Sequence, residues 1–183
     1  MSIIKTPFKG LYLFEPRIFE DERGYFFESY SAKLWKEAEV HHEFVQDNES
    51  RSQYGTVRGL HYQLPPSGQD KLIRVTHGKV LDIVVDIRPS EPTYGQSFSV
   101  ELSQDNKKQM LIPQGFAHGF VTLSEVAVFN YKCTNFYSKA DEGHVNPLDP
   151  ALDLDWGIPT EDMIFSEKDK AAPSLGDHKA WPS

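Results

Sequence analysis

The sequence has one cysteine, Cys133, so it has no disulfide framework within the chain and no cysteine-built zinc site. It lacks any run approaching the ~18 apolar residues of a membrane span. Met1 to Gly10 has no apolar core of signal-peptide length. A cytoplasmic protein with no membrane partner is therefore expected. Positive charge is short: 19 Lys and Arg stand against 27 Asp and Glu, a formal net charge of −8. That opposes a nucleic-acid partner, which needs a basic face. It leaves room for a local basic pocket holding one phosphorylated ligand. No low-complexity segment, internal repeat or G-x-G-x-x-G fingerprint is present.

Aromatic residues, by contrast, make up 13 % of the 183 positions, and there are 12 Pro and 12 Gly. Charged residues at 25 % and hydrophobic ones at 39 % are ordinary for a folded domain. A chain this size buries enough surface to fold without staples. The middle reads as short strands rich in Val, Ile, Phe, Tyr and Leu: 57–63, 71–76, 79–88, 97–103, 108–112, 117–123 and 126–133. Turn residues such as Pro65-Pro66-Ser67-Gly68 and His77-Gly78 separate them, which predicts a sandwich or barrel. Along 80–88, Leu81, Ile83, Val85 and Ile87 alternate with Val80, Asp82, Val84 and Asp86, predicting one core face and one mixed face. Ser31 and Ser166 are expected to cap helices over 32–39 and from Glu167, the first with Leu34, Trp35 and Ala38 on one face. Residues 140–165 read as irregular loop.

Several polar residues sit where a strand must find them partners. Arg58 and His61 lie in the same predicted strand, Val57–Gln63. Strict alternation sends them to opposite faces unless a bulge at Gly59 re-aims one. Lys71 opens the next strand and Tyr131 ends an apolar run. Asp169 lies three residues after Ser166, where it could serve only a capping box. The plainer reading of each is structural: a surface lysine, a core tyrosine, a helix cap. His118 follows Pro113-Gln114-Gly115-Phe116-Ala117, and a partly buried histidine bonded to a backbone carbonyl is as good a reading as a ligand-binding one. That P-x-G-x-x-H segment resembles the second motif of the cupin superfamily. At the first motif, His61 and Gln63 stand where two histidines are usual, and Gln is a poor metal ligand beside imidazole.

Taken together, the segments FEDERGYFFESY (19–30), VQDN (45–48), VRGLHYQLPP (57–66), Lys71-Leu72, VDIR (85–88), PTYG (92–95), PQGFAHGF (113–120), Tyr131-Lys132 and SEKD (166–169) resemble the dTDP-4-dehydrorhamnose 3,5-epimerase family of cupins. The likeness runs from about Phe14 to about Pro173. It implies a mainly β fold, a double-stranded jelly-roll barrel with a few short helices. It implies a single domain over 1–183, with an N-terminal strand extension and a C-terminal helical tail. The implied activity is epimerisation of dTDP-4-dehydro-6-deoxy-D-glucose at C3 and C5, with no cofactor and no metal.

The resemblance implies roles residue by residue. His61 is the general base, Asp169 holds its imidazole, Tyr131 returns a proton from the opposite face, and Lys71 stabilises the enolate oxygen. Arg58 and His118 line the sugar and phosphate site. Arg23, Glu28, Gln46, Asp47, Asn48, Glu142 and Lys168 hold the nucleotide, and Tyr137 stacks on thymine. Members are homodimers that exchange strands, so Arg23 is placed to serve the partner's site. The chain departs from the family at 145–150 (VNPLDP), where a Trp commonly precedes the Asp-Pro pair, and at Gly157, where Pro is common. Three alternatives remain open on the residues alone: a single-centre epimerase of a related dTDP-keto-sugar, a metal-dependent cupin using His61, Gln63 and His118, and a sugar-nucleotide-binding barrel without catalysis.

Overall fold

The structure, a computed structural model, describes residues 2–37, 40 and 42–182. Two antiparallel sheets pack face to face. The larger runs β1 (Ser2–Lys5), β2 (Tyr12–Glu15), β10 (Gln109–Ile112), β7 (Lys71–His77), β12 (Val126–Cys133), β5 (Gln46–Gln53). The smaller runs β13 (Glu142–His144), β6 (Val57–Gln63), β11 (Phe116–Thr122), β8 (Lys79–Asp86), β9 (Ser97–Ser103). A separate hairpin of β3 (Phe19–Asp21) and β4 (Gly24–Phe26) is exposed along its length. Helices are short: α1 (Ala32–Glu37) and α2 (Glu167–Lys170). This is the cupin-type double-sheet barrel that the motifs implied.

Three apolar clusters explain why it closes. Between the sheets lie Leu13, Ile73, Val84, Met110, Phe120 and Phe129. Trp35 of α1 covers the outside of the larger sheet with Phe14, Leu72 and Leu111. The outside of the smaller sheet is covered by Val145, Leu152 and Trp156, from the stretch expected to be loop. The strand 79–86 is therefore sandwiched on both sides. Val80 and Val84 face the inter-sheet core, while Ile83 and Val85 face the outer cluster. The face expected to be mixed is fully buried, Asp82 and Asp86 included. Each acid has a cationic or imidazole partner there, as burial of a carboxylate demands: His118 for Asp82 and Arg88 for Asp86.

Expected strands 57–63, 97–103 and 126–133 match β6, β9 and β12. Among the strands outside that expected set are β5 and β13. The polar run QDNESRSQ forms β5 because it pairs along its whole length with β12. Glu142–His144 pairs with β6, so 140–165 is not irregular throughout. Helix α1 begins at Ala32 and carries Trp35 inward, as expected; Ala38 and Glu39 lie outside the described residues. Ser166 does cap α2, accepting the Asp169 backbone N–H at 3.1 Å.

Candidate active site

A cavity of about 550 Å³ lies where the two sheets and the segment before α2 meet. The larger sheet contributes Asn48, Lys71, Phe129 and Tyr131, and the smaller one Arg58, His61, His118 and Phe120. Ile164, Phe165, Lys168 and Asp169 close it from the C-terminal side. The four residues expected to be catalytic therefore share one cavity, with four of those expected to bind.

Arg58 and His61 both reach it because β6 is irregular. The register against β11 shifts between His118 and Phe120, and Gly59 sits at φ +131°, a conformation that favours glycine. A Cβ at Gly59 would also lie 2.5 Å from the Gly119 Cα. The anticipated bulge thus puts both side chains on one wall. Arg58 Nε donates to Ser52 Oγ at 3.0 Å, which fixes the guanidinium at the cavity edge.

His61 Nε2 lies 2.6 Å from Asp169 Oδ1, and that carboxylate is almost wholly buried. Burial alone would push the Asp169 carboxyl up. The His61 bond and charge, the Ser166 hydroxyl and the Gly59 amide outweigh it and hold the group below the usual carboxylate range. The helix-cap reading was half right: the backbone of Asp169 serves the cap, while its side chain serves the histidine. His118 Nε2 lies 2.9 Å from Asp82 Oδ2, so its partner is a buried carboxylate and not a backbone carbonyl. Burial pushes the Asp82 carboxyl up, against the opposing pull of His118 and Lys71.

Lys71 is partly buried, with Nζ 5.9 Å from the Tyr131 ring centroid. Burial pulls its ammonium down, opposed by Cys133, Asp82 and Glu142. Among the described residues it forms no ion pair within 4 Å. Burial raises the Tyr131 phenol, with Cys133 adding and Arg58 opposing. A phenol and an amine with no ion-pair partner among the described residues thus share the cavity with the histidine–aspartate pair.

The other expected residues lie away from this centre. Glu142 accepts from Lys168 Nζ at 2.7 Å and from Tyr137 Oη at 3.0 Å, tying both to the cavity rim. Tyr137 is exposed. Asp47 pairs with Lys132 at 2.8 Å, and Gln46 Nε2 donates to Asn48 Oδ1 at 2.8 Å. Glu28 is exposed, and Arg23 pairs with Asp21 on the β3–β4 hairpin, outside the cavity. The metal set of His61, Gln63 and His118 is not assembled. The Gln63 amide donates to the Ser67 and Phe136 carbonyls and accepts from the Ser138 amide, so both its ends are occupied.

Sequence reasoning missed the apolar wall of Phe120 and Phe129, stacked at 4.3 Å and 13°. It missed Asp82 as the partner of His118, although an acid inside an apolar strand is a signal. It also missed His144, whose ring meets His61 edge-on at 5.0 Å. Nothing in a segment read as loop could have marked that residue.

Comparison with known proteins shows the family. The family model described as dTDP-4-dehydrorhamnose 3,5-epimerase matches residues 5–177. A relative of that name from Shigella flexneri is 48 % identical over 170 residues, 92 % of this chain and 93 % of that protein. A Legionella pneumophila dTDP-6-deoxy-D-glucose-3,5-epimerase, solved with dTDP-4-keto-L-rhamnose, is 48 % identical with a TM-score of 0.91, covering 96 % and 93 % of the two chains. A 3′-monoepimerase from Streptomyces bikiniensis, solved with dTDP-quinovose, is 32 % identical with a TM-score of 0.86, covering 93 % and 86 %.

Proposed function

The chain belongs to the dTDP-4-dehydrorhamnose 3,5-epimerase family, and from that premise we propose that it inverts C3 and C5 of dTDP-4-dehydro-6-deoxy-D-glucose by proton transfer alone. The observation that carries the reading is the placement of a base and an acid on opposite sheets. His61 stands on β6 and Tyr131 on β12, facing one cavity. Inversion needs a proton taken from one face of the carbon and another delivered to the opposite face.

The C3 and C5 protons are acidic because each carbanion delocalises onto the C4 oxygen. Neutral imidazole is a suitable general base at neutral pH. Asp169 keeps one ring nitrogen engaged, so the other is the one that takes the proton. Positive charge at Lys71 stabilises the enolate oxygen, the role of a preorganised oxyanion donor. Tyr131 then reprotonates carbon from its own wall. Arg58, His118, Asn48 and Lys168 hold the sugar and diphosphate, and Glu142 with Tyr137 orders the nucleotide end. The chain works in this reading as one domain over 1–183, in the cytoplasm, without a cofactor. A second copy pairs with it by strand exchange and carries Arg23 on its hairpin to the site. The exposed Phe19, Tyr25 and Phe26 of that hairpin support this part.

The likeness to a 3′-monoepimerase favours one alternative, inversion at a single centre. Proton NMR of the keto-sugar nucleotide in heavy water separates the readings. Deuterium entering both C3 and C5, and neither in His61→Asn, is the expected result. Label at one carbon supports the monoepimerase reading. Binding without label at either carbon overturns both.

A further inference from the structure

The mechanism leaves His144 unused, yet it sits against the catalytic pair. In the β13–β6 register it lies directly opposite His61. One ligand atom each from His61, His144 and Asp169 lies within 4.8 Å of the others. The His144 Nδ1 atom is buried with no hydrogen-bond partner among the described residues. Its other nitrogen, Nε2, is 3.6 Å from Glu142 Oε2. That contact is too long for a hydrogen bond, so the ring is held by packing beside His61 and keeps a buried nitrogen able to serve as a ligand.

We propose that His61, His144 and Asp169 form a binding site for a divalent transition metal such as zinc, and that the bound metal silences the enzyme. Two imidazoles and one carboxylate are a donor set that zinc takes readily, with bonds of about 2.0–2.2 Å. Ligand atoms around such an ion lie roughly 3.3 Å apart. The His61–Asp169 pair, now at 2.6 Å, opens slightly to admit it, and His144 closes in. The metal takes the Nε2 lone pair in place of the proton shared with Asp169, and that proton passes to the other ring nitrogen, leaving His61 no lone pair for a substrate proton. Lys168, bonded to Glu142, is the nearby cation that opposes it. The metal here is an inhibitor and not a cofactor. The site needs only these three side chains; its effect on turnover rests on the reading of His61 as the base.

Cobalt(II) reports the site directly, through visible d–d absorption that does not depend on activity. One cobalt per chain, displaced by zinc, is expected in the parent protein. His144→Leu should weaken binding at least tenfold while metal-free turnover stays within about twofold. His144→Cys, which supplies another zinc donor, should restore binding, and EDTA should restore zinc-inhibited turnover. The site is overturned if the parent gives no cobalt spectrum, or if His144→Leu leaves both spectrum and inhibition unchanged. Metal bound as described with turnover untouched would uphold the site and overturn His61 as the base.

Discussion

Replacing Lys71 with Met tests whether one side chain carries the enolate charge. Met keeps most of the unbranched length and removes the ammonium, so the wall beside Tyr131 stays filled. At about 4 Å and an effective dielectric of about 20, a unit charge pair is worth roughly 4 kcal/mol. Loss of one oxyanion-hole donor elsewhere costs ~2.7–4 kcal/mol. The two figures agree on a fall of about 10²–10³ in kcat, since ~1.4 kcal/mol is one decade. Both carbanions share the C4 oxygen, so exchange at C3 and C5 should fall together. The assay is deuterium incorporation followed by NMR, with dTDP binding measured separately and expected to change by less than about threefold, because Lys71 addresses the sugar oxygen and not the nucleotide. Exchange within about tenfold of the parent would refute the argument. So would loss at one carbon only, because no shared oxygen could then be responsible.

Tyr131→Phe should leave solvent exchange by His61 largely in place while inversion falls by about 10²–10⁴, read from product stereochemistry; full inversion would remove Tyr131 as the donor. Gly59→Ala should cost roughly 3 kcal/mol or more, from the strained φ and the close Gly119 Cα, lowering Tm by about 6–12 °C. A melting point within about 2 °C of the parent would show that β6 relaxes freely. Asp86 should make stability acid-sensitive. Burial raises its carboxyl, but the Arg88 guanidinium, the Thr93 hydroxyl and the Arg88 amide outweigh that and lower it overall. A carboxyl lowered on folding contributes fully above its unfolded pKa of about 3.9, and the contribution is lost as pH falls through the folded value. Asp86→Asn should therefore be less stable at pH 7 and show a flatter acid limb in urea titrations; an unchanged limb would assign the acid loss elsewhere.

The barrel was legible wherever apolar residues alternate between turn signals, which is why β6, β9 and β12 begin and end where periodicity says. Strand β5 was not, because QDNESRSQ has no apolar period and owes its conformation to pairing with β12. Resemblance named the four residues proposed as base, acid partner, enolate-stabilising lysine and proton-donating tyrosine, and they share one cavity. Composition and spacing could not join Arg58 and His61 on one face, because that depends on the backbone at Gly59. Asp82 and His144 escaped for a different reason: each matters only through a neighbour brought close by the fold. Arg23 and Glu28 carry roles implied by likeness that a single chain does not bring to the cavity.

The His61–Asp169 bond spans 108 positions. During synthesis, the strand bearing His61 is complete long before Ser166 has been made. A nascent chain that has closed most of its barrel still holds a histidine without the carboxylate that orients it. On the proposed mechanism, competence therefore waits until Asp169 has been made and the segment before α2 docks across the cavity. A chain truncated ahead of Ser166 would keep the strands of both sheets but, on the proposed mechanism, would lack the partner of its base. On the proposed mechanism, turnover thus reports that two segments far apart in the chain have met, and a folding intermediate lacking that contact has little chance to act on substrate early.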